Sequence, residues 1–135
     1  MNWSFSNDLP IYTQLIEQIK AGIVTGEFPP GERLPSVRDL AAEAGVNPNT
    51  MQRALAQLES DGLVYSQRTA GRFVTQDSER IDQTRHALAQ QHMLAFLQAM
   101  RRLRLSHGET LSMLQSLMES NSGKENQSDE CPDMP

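Results

Sequence analysis

LPSVRDLAAEAGVNPNTMQRALAQLESDGLV, from Leu34 to Val64, is the stretch whose reading decides the fold. Pro35 and Ser36 open a first helix. Ser36 is suited to cap it, and Asp39 completes an S-x-x-acid box. Val37, Leu40, Ala41 and Ala44 recur at i, i+3, i+4 and i+7, so one face is apolar. Gly45 follows, where a left-handed backbone ends a helix at little expense. Val46 is an apolar plug. Asn47 then caps a second helix, with Pro48 at its first position, where a missing N–H is harmless. Met51, Ala54, Leu55 and Leu58 repeat the same apolar spacing, and Gly62 stops the helix. Two short helices joined by a tight turn are the layout of a helix-turn-helix, whose second helix enters the DNA major groove.

The face of this second helix opposite its apolar stripe carries Asn49, Gln52, Arg53 and Ala56. Asn and Gln can pair with adenine, Arg with guanine or a phosphate, and Ala leaves room for a thymine methyl. Thr50, on the flank, suits a phosphate oxygen. On composition alone this is a solvated helix face. Two features favour nucleic acid: no acidic side chain occurs between Asn47 and Gln57, and Arg38 of the preceding helix lies beside the same site.

Working outward, Leu63–Ser66 and Phe73–Thr75 are short and β-prone. Between them Gln67-Arg68-Thr69-Ala70-Gly71-Arg72 forms a hairpin, with Gly71 near the tip and Arg68 and Arg72 flanking it. A basic hairpin beside a recognition helix suits the adjacent minor groove or phosphates. Upstream, Tyr12, Leu15, Ile16, Ile19 and Ile23 make Pro10–Thr25 an amphipathic helix that completes a three-helix core. Tyr12 and Trp3 read as packing residues. Gly26 and Phe28-Pro29-Pro30-Gly31 form a stiff loop.

These residues resemble the GntR family of winged helix-turn-helix regulators. The resemblance is carried by Pro10-Ile11-Tyr12 with Gln14, by Gly26, and by Pro30-Gly31-Glu32-Arg33-Leu34-Pro35-Ser36-Val37-Arg38-Asp39-Leu40-Ala41. It continues through Gly45-Val46-Asn47-Pro48-Asn49-Thr50, Arg53-Ala54, Leu58-Glu59, Asp61-Gly62-Leu63-Val64, and Gly71 with Phe73-Val74. The family resemblance implies a dimer that binds operator DNA, usually at inverted repeats, and usually represses. Carried over by position, DNA contacts fall on Arg38, on Asn47, Asn49 and Thr50, on Gln52 or Arg53, and on the wing around Gly71; the basic hairpin adds Arg68 and Arg72 as candidates. Many members have a basic residue where this chain has Pro48 and an Arg where it has Gln52. The Asn-Pro-Asn-Thr variant resembles the YtrA-type branch, so the operators of other branches do not transfer. That branch adds only a short helical dimerisation tail.

The rest of the chain agrees. Residues 76–78 read as a linker, and Glu79 to about Leu105 as a long helix with a roughly heptad stripe of Ala89, Met93, Phe96, Leu97, Met100 and Leu103. Ser106-x-x-Glu109 caps another helix, lined by Leu111, Leu114, Leu117 and Met118. Two helices cannot bury both stripes on each other, so pairing with a second copy is expected; the alternative is folding back on the DNA-binding domain. The expected organisation is a winged helix over residues 9–75, a linker at 76–78, a helical dimerisation region at 79–119 and a disordered acidic tail at 120–135. The fold class is mainly α with a small β-wing.

Net charge is −5, distributed as −2 over residues 1–75, 0 over 76–120 and −3 over 121–135. The acidic excess sits mostly in the tail, leaving Arg38, Arg53, Arg68 and Arg72 to form a local basic stripe. Salt-dependent DNA binding is therefore expected. No phosphate loop, nucleophile motif or metal-ligand cluster points to an enzyme. A pure protein-interaction module is the remaining class, opposed by the Asn49/Arg53 face and the basic wing. His86, His92 and His107 are not spaced to share a helical face with carboxylates, so no metal and no cofactor are expected. About forty ordered residues after the linker are too few for a separate ligand domain. An effector, if any, is unknown, and its candidate place is the soft apolar surface of Met93, Phe96, Met100 and Met113. The single cysteine, Cys131, and the lack of a signal peptide or long apolar run point to the cytoplasm, away from membranes.

Overall fold

A computed structural model describes residues 1–128. Helices α1 (Ile11–Thr25), α2 (Val37–Ala44) and α3 (Pro48–Ser60) lead into strands β1 (Val64–Gln67) and β2 (Gly71–Val74), followed by α4 (Ser78–Arg102) and α5 (His107–Ser128). The chain divides into two compact units, one over Met1–Gln90 and one from Gln91 onward.

In the first unit, α1 and α2 both pack on α3. Leu15, Ile19 and Ile23 of α1 meet Leu40 and Ala41 of α2 and Met51, Ala54, Leu55 and Leu58 of α3 in one buried cluster, closed by Leu34, Leu63, Val64 and Val74. These are the positions the helical periodicity selects, because only that spacing turns apolar groups to a common side. Ser36 Oγ accepts the Asp39 N–H at 3.1 Å, and Asn47 Oδ1 accepts the Asn49 N–H at 2.7 Å. Such caps satisfy otherwise orphaned donors, each worth about 1 kcal/mol. Between the helices Gly45 takes φ +73°, which lets its N–H reach Ala41 O at 2.8 Å and the Val46 N–H reach the same oxygen at 3.0 Å. That left-handed turn fixes the angle at which α3 leaves α2.

The wing pairs β1 and β2 antiparallel, with Val64 opposite Val74 and Gln67 opposite Gly71. A third segment joins it. Gly31 N–H donates to Val74 O, Val74 N–H to Glu32 O and Leu34 N–H to Arg72 O, at 2.8–2.9 Å, and Arg33 bridges Phe73. The residues following the Pro29-Pro30 loop thus cover the outer edge of β2, which the sequence pattern does not announce.

The structure moves several boundaries. The first unit begins before Leu9: Trp3 and Phe5 stack at 6.4 Å and pack against the core. Gln14 holds this segment, donating to Ser6 O and Leu9 O and accepting the Ser6 N–H. Residues 76–78 are not a free linker. Asp77 accepts the Glu79 and Arg80 N–H groups at the start of α4, Ser78 is already helical, and Ile81 is buried in the core. Arg85 also donates to Val24 O at the end of α1. Helix α4 ends at Arg102, short of Leu105, where Arg104 takes a left-handed φ of +65°.

In the second unit α5 extends to Ser128, beyond the boundary expected at residue 119. It starts on a reciprocal box: Ser106 N–H donates to Glu109 Oε1 at 2.9 Å, and Glu109 N–H donates to Ser106 Oγ at 3.1 Å. The bond from the Ser106 backbone, with help from its hydroxyl, holds the Glu109 carboxyl below the usual carboxylate range. The last part of the expected disordered tail, residues 129–135, lies outside the described residues.

Candidate nucleic-acid interface

Helix α3 presents Asn49, Gln52, Arg53 and Ala56 to solvent while Met51, Ala54, Leu55 and Leu58 are buried. Arg38, in the first turn of α2, is exposed as well, and Thr50 is half-buried on the flank. Asn47 is exposed but its Oδ1 is committed to the cap, leaving its amide nitrogen for other partners. Among the described residues no carboxylate lies within ion-pair distance of Arg38, Arg53 or Arg68. Cations left without internal counter-charges are available to phosphates.

Arg53 lies over an aromatic ring. Its guanidinium carbon sits 4.4 Å from the centroid of the Tyr12 ring. Tyr12 is itself half-buried against the core, as a packing residue should be. Its ring face attracts the cation and narrows the range over which Arg53 swings. The ordering is done by the first turn of α1, a helix that precedes the helix-turn-helix and packs on α3.

At the wing, the Ala70 N–H closes a turn on Gln67 O at 3.1 Å, and Gly71 follows with φ +105°. Arg68 is exposed at this tip. Arg72 is not. Its Nε lies 3.5 Å from Glu59 Oε1, its side chain is 20% exposed, and Ser66 Oγ donates to the same Glu59 oxygen at 2.9 Å. Strand alternation explains this. Ser66 and Arg72 face each other across the hairpin on the side turned to α3, while Tyr65 and Phe73 stack at 5.7 Å on the other side. Arg72 therefore flanks the tip as expected from the sequence, but its side chain braces the wing against α3 through Glu59. Arg33, which no local signal connects with the wing, is brought beside Gly71 instead: a Cβ there would stand 3.0 Å from Arg33 Nε.

The second unit holds the apolar residues expected to dimerise, apart from Ala89, which belongs to the first unit and is exposed. Met93, Leu103, Leu111 and Leu117 are all more than half exposed. Phe96 is exposed, and Leu97, Met100 and Leu114 are half-buried. Met93, Phe96 and Leu97 of α4 and His107, Thr110, Leu111 and Leu114 of α5 line an open groove of about 310 Å³. Among the described residues no helix is long and apolar enough to cross a membrane.

Comparison with known proteins agrees with this geometry. Residues 11–74 match the family described as bacterial regulatory proteins, gntR family. The chain is 34% identical over 119 residues to the uncharacterized HTH-type transcriptional regulator YhcF of Bacillus subtilis, a match covering 88% of this chain and 98% of that one. It is 39% identical over 70 residues to the HTH-type transcriptional repressor YtrA of Bacillus subtilis, covering 52% of this chain and 54% of the repressor. Among solved structures it resembles a GntR family transcriptional regulator from Listeria monocytogenes, with TM-score 0.75 and 36% identity over 83% of this chain and 98% of the other. It also resembles the DNA-binding domain of AraR in complex with operator ORX1, with TM-score 0.51 and 31% identity over 56% of this chain and 96% of that domain. Homologues and fold alike are those of transcription regulators, not of enzymes. Since the likeness to the Bacillus subtilis regulator runs through both units and the family match spans the three-helix core and the wing, this chain belongs to the GntR family of DNA-binding transcriptional regulators.

Proposed function

We propose that the chain is a repressor that binds an inverted-repeat operator as a homodimer. The observation that carries this reading is the exposed α3 face of Asn49, Gln52 and Arg53, free of carboxylate partners among the described residues, with Arg53 held over Tyr12. Asn49 and Gln52 offer paired donors and acceptors to adenine, and Arg53 a fork to guanine. Arg38, Thr50, the Asn47 amide and Arg68 take phosphates and fix register. The wing glycine, Gly71, takes φ +105°, which an L side chain rarely adopts, and so shapes the tip that would meet the duplex.

The homodimer reading is supported by the second unit, whose Met93, Phe96, Leu103, Leu111 and Leu117 side chains are exposed in the single chain. Apolar surface of this kind is ordinarily covered by a partner. A second copy contributes the same helices and makes a self-complementary, two-fold interface. Two recognition helices then meet half-sites about 34–36 Å apart, one turn of the duplex. Repression is supported by the named activity of the YtrA relative, an HTH-type transcriptional repressor; a regulator that binds chromosomal operators would work in the cytoplasm.

Selection of bound duplexes from a random pool, with the full chain at moderate salt, tests the reading. Enrichment of an inverted repeat is the expected result. A single enriched half-site, or no motif from folded protein, contradicts it.

A further inference from the structure

Arg33 stands apart from every residue that local sequence patterns assign to the DNA. It precedes α2, yet the bridge to Phe73 and the hydrogen bonds of Gly31, Val74 and Leu34 lay its segment along β2. Alternation buries Leu34 and leaves Arg33 exposed, on the face it shares with Phe73 and Gly71. Its guanidinium then runs along the strand to the residue that follows the hairpin tip. A Cβ on Gly71 would stand 3.0 Å from Nε and 3.5 Å from Nη2, so the missing side chain makes room for the arginine. Among the described residues no carboxylate lies within ion-pair distance of Arg33. The neighbouring Arg72, by contrast, is held by Glu59.

We propose that Arg33, cradled on Gly71, is the second cation of the wing and contacts the minor groove and its bordering phosphates beside the half-site. This rests on the DNA reading above and names a residue for it. The wing tip then offers Arg33 and Arg68, while Arg72 supports the hairpin from behind. Arginines in a narrow minor groove favour A·T-rich sequence through its enhanced negative potential. Arg33 thus adds a preference for A·T-rich flanks that α3 does not read.

The test is a salt titration of operator binding by the full chain and its variants, on duplexes with A·T-rich or G·C-rich flanks. Arg33→Ala is expected to lower affinity about tenfold at low salt and to reduce the slope of log K against log salt by about 1. It should also remove the discrimination between flanks. Arg72→Ala, which removes a cation already paired with Glu59, should change the slope less than Arg33→Ala does. Arg33→Gln keeps the stem that lies on Gly71 and gives the same readout if the alanine variant unfolds. A wild-type slope and wild-type flank preference in folded Arg33→Ala or Arg33→Gln, with Arg53→Ala still weakened, would overturn the role of Arg33 and leave the DNA reading standing. Failure of the wild-type chain to bind DNA would sink both.

Discussion

The two units of this chain handle their apolar residues in opposite ways. Over Met1–Gln90 the periodic residues converge: Leu15, Ile19, Met51, Ala54 and Leu58 have no exposure at all. From Gln91 onward residues with similar spacing stay open, with Leu103 at 65% and Leu111 at 58%. The same helical pattern therefore has two outcomes. Where three helices and a hairpin surround a stripe, it becomes a core. Where only one helix and a turn are at hand, it remains exposed in the single chain. One kind of sequence serves both units, and the difference lies in how many neighbours the chain itself supplies.

The largest effect that sharpens this contrast comes from truncation after Gln90. The remaining unit keeps Ile81, Arg85 and the whole core, so it should stay folded. Operator affinity should fall by about 10²–10⁴, the factor lost when two linked sites become independent. Circular dichroism and titration of the selected operator would show it; undiminished affinity would remove any need for the second unit. Next is Ile81→Ala, which tests whether the start of α4 belongs to the first unit. Loss of a buried isoleucine side chain should lower stability by about 2–5 kcal/mol in denaturant unfolding. A change near zero would return residues 76–90 to the status of linker and appendage.

Arg53→Ala should weaken operator binding by about 1–3 kcal/mol and relax preference at one base position. Equal losses on operator and random DNA would mark Arg53 as a phosphate contact instead. Tyr12→Leu, which keeps an apolar packing group but removes the ring face, should lose part of the same preference by about 0.5–1 kcal/mol. The smallest effect belongs to the turn before α5. In an NMR titration the Glu109 carboxyl should titrate below the ordinary glutamate value of about 4.3. Because its folded pKa is lowered, its contribution to stability is present above the unfolded pKa and is lost as pH falls through the folded one. Ser106→Ala removes the hydroxyl but keeps the backbone N–H, so the midpoint should rise part of the way. An unmoved midpoint would assign the whole shift to the backbone bond.

The three-helix core, both caps of the helix-turn-helix and the α3 face were legible because each depends on neighbours within a few turns. Helical spacing places Leu40 beside Ala41 and Ala44, and Met51 beside Ala54, Leu55 and Leu58, without reference to anything distant. The wing was legible as a hairpin, but the directions of its arginines were not. Arg72 follows strand alternation onto Glu59, and Arg33 arrives by its pairing with Phe73, a residue far along the chain. Nothing local distinguishes the two. Likewise Asp77 and Ser78 have the composition of a linker, and only the burial of Ile81 shows that they begin a packed helix. Gln14 belongs to the motif by resemblance, while its physical task, tying down residues 6–9, depends on contacts that a pattern of hydropathy does not encode.

On the proposed reading, one half of this molecule reads DNA and the other half supplies the second reader. Sedimentation equilibrium of the full chain, alone and with a duplex carrying either the selected inverted repeat or one half-site, addresses it most directly. The expected result is a dimer in free solution at micromolar concentration, and two chains bound per inverted repeat in a single step. A monomer that fills the two half-sites independently, with equal affinity for the half-site duplex, would contradict it.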